Sequence, residues 1–226
     1  MHSVNDTSRP LIFLGSNSNI HKLAELAQAC GVRVLGMIDD DYRGAGEYQG
    51  IPVIGGQADV DEFKDCQWIC ATNWTPDADS ARNRLKRAGQ LALMNQSQLR
   101  LATLIHPMSV VSAHANVGAG TVVYAFATVE PRVRVGQHTI LYDYSVVGHD
   151  CTIGNNVVAQ RQVLVTSSVT VEDNVYLGMC SRLCRSHVTV SQGTFVHPNI
   201  MLLRGTEPGE TVSLAGRKTY SWILVE

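Results

Sequence analysis

In the first half of the chain, the residues best suited to chemistry are the loop Gly15-Ser16-Asn17-Ser18-Asn19 and the acidic run Asp39-Asp40-Asp41. The loop has one glycine where a dinucleotide-binding turn carries three, which argues against NAD. Asn tolerates positive φ, so a tight turn is still feasible, and a helix starting just after it offers its N-terminus to a phosphate. A purely structural turn is the even alternative. The aspartates can meet ribose hydroxyls, or can merely solvate a strand end. In the second half, an imidazole and a carboxylate are adjacent at His149 and Asp150, within Val146-Val147-Gly148-His149-Asp150-Cys151-Thr152-Ile153-Gly154. The six cysteines, Cys30, Cys66, Cys70, Cys151, Cys180 and Cys184, form no CxxC pair. They read as free thiols of a reducing cytoplasm, and no metal site is expected from them.

The elements that must position these groups fall into two halves. At 226 residues the chain has room for one large domain or two small ones. A formal charge of -2 argues against a nucleic-acid surface built on bulk charge. Residues 1–9 are polar and read as a loose tail rather than a signal peptide. The segment Leu101–Val129 lacks Asp, Glu, Lys and Arg, yet His106, Pro107, Ser109, Ser112, His114 and Asn116 interrupt it. Such polar groups are costly in lipid, so no membrane span is expected.

From residue 111 an aliphatic side chain recurs at every sixth position: Val111, Val117, Val123, Val129, Val135, Leu141, Val147, Ile153, then Ala159, Val165, Val171, Leu177 and Leu183. A small or β-branched residue follows four places after each, from Ala115 and Thr121 to Val175 and Ser181. A period of six matches no helix. It predicts a chain wound on a triangular prism: each hexad is a short strand plus a corner, and three hexads form one coil of about 18 residues with parallel pairing between coils. This is a left-handed parallel β-helix. The beat slips by one near Thr189 and resumes at Val190, Val196 and Leu202. His149 falls on an outward corner slot. Neighbours on an extended strand point opposite ways, so Asp150 can reach it only if the corner bends the chain. His187 falls on an inward slot, while His138 and His197 read as surface residues.

The first hundred residues alternate strand and helix, as a small Rossmann-like α/β sheet with crossover helices requires. Strands are predicted at Pro10–Gly15, Val32–Asp39, Pro52–Gly55 and Gln67–Thr72. A helix is predicted over Asn19–Cys30, with Ile20, Leu23, Ala24, Ala27 and Cys30 on one face. A second helix is capped by Thr75 with Pro76 at its first position, and Asp77 and Asp79 lie in its first turn. Arg82, Arg84, Lys86 and Arg87 fall towards its negative end, and Gly89 closes it. Ligands of such sheets bind at the carboxyl ends of strands, where both the loop and the aspartates fall. The expected domains are therefore 10–105 (α/β), 106–207 (β-helix) and 208–226 (a C-terminal extension).

This order of parts resembles the two-domain left-handed β-helix sugar acetyltransferases, of the sialic-acid O-acetyltransferase and nucleotide-aminosugar N-acetyltransferase type. The resemblance runs from Pro10 to about Leu203 through FLGS, VLGMIDD, GIPVIGG, TLIHP, the hexads and the His149 segment. It implies acetyl-CoA as acyl donor, a nucleotide-sugar acceptor held by Gly15, Ser16, Asn17, Asn19, Asp39 and Asp40, and a homotrimer with its active cleft between subunits. By resemblance His149 is the general base and Asp150 its acidic helper, and an imidazole titrating near neutrality suits that task. Tyr142 stands where the family often has a substrate-side Asn, Val158 where some members have a second His, and Ser167 where a Gly amide holds the thioester oxygen. Arg182, Arg185 and Arg204 can meet CoA phosphates or be plain solvated charges. The implied reaction is N-acetylation of a nucleotide-linked aminosugar for surface glycans. O-acetylation of a sialic acid or related sugar, or an inactive trimeric nucleotide-sugar scaffold, is the alternative. A zinc enzyme on this fold would need three His ligands. No two of the eight histidines are 18 apart, and Gly154 stands where the partner to His149 would fall.

Overall fold

The computed structural model describes residues 7–73 and 80–219. The predicted cap at Thr75, Pro76, Asp77 and Asp79 lies outside the described residues, as do residues 1–6 of the expected tail. The described residues divide into two compact units, one up to Leu104 and one from Ile105 onward.

The first unit is a five-stranded sheet in the order β3-β4-β2-β1-β5, with β1 Leu11–Leu14, β2 Val34–Ile38, β3 Glu47–Tyr48, β4 Ile51–Gly55 and β5 Gln67–Cys70. β1, β2, β4 and β5 run parallel, while the short edge strand β3 pairs antiparallel with β4. Alternation along β1 sends Ile12 and Leu14 to one face, where they pack with Ile38, Trp68, Cys70 and Met94. Helix α1 (Ile20–Ala29) buries Ile20, Leu23, Leu26 and Ala27. Leu26 thus takes the place expected for Ala24 and Cys30, which are only half-buried.

Helix α2, seen from Ser80 to Gln96, corrects the reading that Gly89 ends it. A mid-helix glycine costs only about 1 kcal/mol. Buried Met94 and the neighbouring Leu91 and Leu93 pack on the sheet core and carry the helix onward. The basic residues assigned to its end therefore lie in its first half, where Arg82, Lys86 and Arg87 meet partners on other elements. Arg87 is buried and donates to the Thr72 carbonyl at 2.6 Å. Lys86 reaches the end of β2.

The second unit is the left-handed β-helix. Two-residue strands stack in three parallel sheets with an 18-residue register: Val129↔Val147↔Val165 on one face, Val135↔Ile153↔Val171 on the next and Leu141↔Ala159↔Leu177 on the third. The sixth-position aliphatics fill the prism, and Val123, Val171, Leu177, Leu183, Val190 and Val196 are fully buried. From residue 120 to residue 199 each corner turns through one left-handed residue, with φ of 61° at Phe126, 63° at Arg132, 59° at Tyr144 and 62° at Asp150. A lone non-glycine residue pays about 1–2 kcal/mol for this, and the stacking of successive coils repays it.

The slip lies at the corner before Val188, and the register is 19 for the next three strands, in Thr170↔Thr189, Tyr176↔Phe195 and Arg182↔Met201. The extra residue moves His187 onto the left-handed corner position, exposed, and gives the inward slot to Val188. His187 is thus not interior. His138, expected at the surface, is buried at its own corner. Beyond 207, Glu210–Ser213 pairs parallel with Phe195–Val196 and extends the third face, and Gly216–Thr219 returns antiparallel to it. Among the described residues no helix is long and apolar enough to cross a membrane.

Candidate active site

The solenoid turns sharply at Gly148-His149-Asp150. Glycine is required at 148 because a Cβ there would lie 2.8 Å from the Ser167 amide nitrogen on the following coil. The left-handed φ of Asp150 bends the chain, so that two consecutive side chains meet: His149 Nδ1 lies 2.7 Å from Asp150 Oδ2. The imidazole is half exposed, and its ring can approach a substrate. Arg132, one coil earlier, grips the same carboxylate, Nε to Oδ1 at 2.6 Å and Nη2 to Oδ2 at 2.7 Å. Glu130 accepts the His149 backbone N–H at 2.8 Å, and the His149 carbonyl accepts the Ser168 N–H at 2.9 Å. Hydrogen bonds from Arg132 and then from His149 hold the Asp150 carboxyl far below the usual carboxylate range. An ionised Asp150 can only accept, so Nδ1 carries the proton and Nε2 keeps a lone pair for proton abstraction.

Ser167 is half-buried on the same edge, one coil beyond His149. Arg185 is exposed at the next corner of that edge. Tyr142 is not brought to His149. It precedes a different corner, is buried, and stacks on Tyr124 with ring centroids 4.9 Å apart; the Arg161 guanidinium lies 5.7 Å over its ring. Val158 is fully buried on the third face.

A second group forms at the carboxyl ends of β1, β2 and β5. Gly15 adopts φ of +84°, and a Cβ there would collide with the Thr72 and Gln90 side chains. Asn17 shapes the loop by donating to the Ala71 carbonyl at 2.5 Å and accepting the Asn19 N–H at 2.6 Å. The three aspartates diverge. Asp39 is 0% exposed and accepts from Ser16 Oγ at 2.6 Å, from Lys86 Nζ at 2.7 and 2.9 Å, and from the Asp41 N–H at 3.1 Å. Its carboxylate fastens the loop to α2. Asp40 turns away to accept the Gln57 N–H at 2.8 Å. Asp41 shares Lys86 at 2.7 Å and lines a cavity of about 330 Å³, with the Ser16–Asn19 loop, Tyr42, Tyr48, Arg82 and Lys86. Burial pulls Lys86 down, but its hydrogen bonds to Asp39 and Asp41 outweigh this and raise it above its ordinary value. The Tyr42 and Tyr48 rings lie 4.2 Å apart between centroids. Among the described residues no three His, Cys, Asp or Glu side chains are grouped to hold a metal ion.

Sequence reasoning missed Arg132 and Glu130, whose signal is arithmetic: 150 − 18 is 132, and Glu130 stacks under Gly148. It also missed Lys86 and Arg82 as site residues, because closing α2 at Gly89 assigned them to the helix end.

No family model matches the chain, and no curated protein matches its sequence. Solved structures do match. The acetyltransferase domain of PglB from Neisseria gonorrhoeae aligns with 94% of this chain and 100% of its own, at TM-score 0.77 and 23% identity. WeeI from Acinetobacter baumannii aligns with 93% of this chain and 99% of its own, at TM-score 0.76 and 17% identity. A histidine-to-alanine variant of GDP-perosamine N-acetyltransferase from Caulobacter crescentus, in complex with CoA and GDP-perosamine, aligns with 94% and 97%, at TM-score 0.69 and 18% identity. The fold is therefore that of the two-domain left-handed β-helix acetyltransferases over nearly the whole chain.

Proposed function

We propose that the protein is an acetyl-CoA-dependent acetyltransferase that acylates the amino group of a nucleotide-linked aminosugar destined for surface glycans. The observation that carries this reading is the corner at 148–150, where an exposed imidazole is hydrogen-bonded to an ionised carboxylate. The neutral acceptor amine attacks the thioester carbonyl and a C–N bond forms. His149 Nε2 takes the amine proton, the C–S bond breaks, and the proton passes to the departing CoA thiolate. Asp150 steadies the imidazolium that forms in between. Backbone amides at the stacked corner, with Ser167 the foremost, are the donors for the developing oxyanion. Arg185, exposed on the same edge, suits a CoA phosphate.

The N-terminal cavity suits the nucleotide. The Ser16–Asn19 loop and the α1 N-terminus face the phosphates, with Lys86 and Arg82 supplying positive charge. Tyr42 and Tyr48 present rings to the base. Asp39 acts through Lys86 and Ser16, and Asp41 is the carboxylate left for a ribose hydroxyl. Tyr142 shapes its corner by stacking on Tyr124. A homotrimer fits the first solenoid face, which leaves Val110 66% and Leu164 37% exposed beside the stacked rings of Phe126 and Tyr144. Six free thiols and the two substrates suit the cytoplasm.

The test is incubation with acetyl-CoA and a panel of nucleotide-linked aminosugars and sialic acids, read by mass spectrometry. His149→Ala is expected to lower turnover about a hundredfold with the assembly intact. Unchanged turnover removes His149 from the mechanism. Acetylated sialic acid alone establishes the O-acetyltransferase, and no product from any acceptor establishes the binding scaffold.

A further inference from the structure

We infer that Arg132 is a positioning residue of this site: its guanidinium, clamped on Asp150 from the preceding coil, fixes the orientation of His149. The inference rests on His149 acting as the base.

Arg132 and Asp150 occupy equivalent left-handed corner positions 18 residues apart, with φ of 63° and 62°. Their side chains leave the prism side by side from adjacent coils, whose strands are spaced by roughly 4.8 Å. The two-point contact of Arg132 uses Nε and Nη2, the fork geometry that lysine cannot reproduce. One carboxylate oxygen, Oδ2, is shared between Arg132 Nη2 and His149 Nδ1. A half-exposed aspartate without the clamp is free to rotate towards water and release the ring. With it, the carboxylate plane is set, and the imidazole is set in turn. The backbone is tied as well, since the Asp150 N–H donates to the Pro131 carbonyl at 3.2 Å and the Arg132 N–H to the His114 carbonyl at 3.2 Å.

The clamp also pairs the corner's charges, one guanidinium against one carboxylate. The titratable and charged groups around this corner are Asp150 itself, Glu130 and Arg132 from the preceding coil, His114 one coil below Arg132, and the buried Cys151, whose thiol donates to the Thr166 carbonyl. The following coil brings Ser167 and Ser168, which do not titrate in this range.

The experiment compares Arg132→Gln, Arg132→Lys, Asp150→Asn and the Arg132→Gln/Asp150→Asn double variant. Two readouts are taken: kcat and KM for acetyl-CoA, and the ring tautomer of His149 followed by nitrogen NMR without substrates. Arg132→Gln is expected to lower kcat about tenfold, to leave KM for acetyl-CoA within about twofold, and to replace the single Nδ1–H tautomer with a mixture of the two. Arg132→Lys keeps the charge and loses the fork, so it restores only part of the rate and of the tautomer preference. The double variant is expected to be no slower than Asp150→Asn alone. An unchanged tautomer in Arg132→Gln, a full additive loss in the double variant, or a rise confined to KM for acetyl-CoA overturns the inference; the last would make Arg132 a CoA contact. The NMR measurement needs no turnover. Undiminished activity of His149→Ala would therefore sink the catalytic reading while leaving the clamp measurable by itself.

Discussion

Two edges of the prism make the same turn and use it differently. Along the edge that carries Gln137, Asn155 and Asp173, the Asn155 and Asp173 side chains are each consumed by the coil before them. Asn155 Oδ1 accepts the Gln137 N–H at 2.8 Å, Asp173 Oδ1 accepts the Asn155 N–H at 2.7 Å, and Asn155 Nδ2 donates to Asp173 Oδ2 at 3.2 Å. Along the His149 edge, the amide is capped by Glu130, a residue one slot earlier on the preceding coil. The third-slot side chain is then released from stitching and stands free in solvent beside Asp150. Glu172 caps the Gln192 N–H in the same way on the other edge, so the device is structural before it is functional. What differs is the residue released, an imidazole in one case and an amide in the other. A reactive group can stand on a solenoid corner where a neighbour has taken over its structural duty.

The largest expected effect tests how tightly the stitched edge is built. Gly118, Gly136 and Gly154 form a column there, and a Cβ at 136 would lie 2.6 Å from the Gly154 carbonyl carbon and oxygen. Backbone on the neighbouring coil cannot move aside without breaking the ladder. Gly136→Val is expected to cost about 3 kcal/mol, lowering the thermal transition of the solenoid by roughly 10 °C. A melting curve within about 2 °C of wild type would mean that the edge yields, and the contrast between a rigid edge and a working edge would dissolve.

A middle-sized effect separates the two edges directly. Glu130→Ala and Asn155→Ala each strip a cap from one corner amide, and each is expected to cost roughly 1 kcal/mol in urea denaturation. Only Glu130→Ala should slow acetyl transfer, by about tenfold, because only that amide belongs to the residue bearing the base. Equal loss of turnover in both variants would show that the His149 edge holds no special position.

The six-residue cadence made the solenoid legible because packing dictates every inward slot: an aliphatic either fills the prism or leaves a void. Corners carry no such constraint. The extra residue before Val188 changed nothing inside, and the slip could be bracketed but not placed, so that His187 was read as interior. His138 erred the other way, since its exposure depends on what covers its corner and not on its slot. In the α/β unit the four parallel strands were legible as short apolar runs, whereas the two-residue edge strand Glu47–Tyr48 was missed, being too short and too polar to show a pattern. The end of α2 was not, because Gly89 is a local signal and the packing of Met94 is a tertiary one. His149 and Asp150 were found through resemblance, and their contact was conditional on a bend that the left-handed φ at 150 supplies. Arg132 and Glu130 were within reach of the sequence alone, had the 18-residue stacking been applied to charged residues as well as aliphatic ones.

The smallest effect sets the chemistry of the His149 edge against the sterics of the other. Arg132 first, and His149 second, depress the Asp150 carboxyl relative to an unfolded aspartate, which titrates at about 3.9. In the folded state the group binds its proton at lower pH than in the unfolded state. Its contribution to stability is therefore complete above the unfolded value and fades as pH falls towards the folded one. The deficit of Asp150→Asn relative to wild type should be constant near pH 5 and shrink steadily from about pH 4 downward, as followed by urea denaturation. The deficit of Gly136→Val involves no titrating group and should stay flat across the same window. Should the Asp150→Asn deficit also stay flat to about pH 2, the carboxylate would not be held in its ionised form by the clamp, and the His149 edge would be no more electrostatic in character than the one it is compared with.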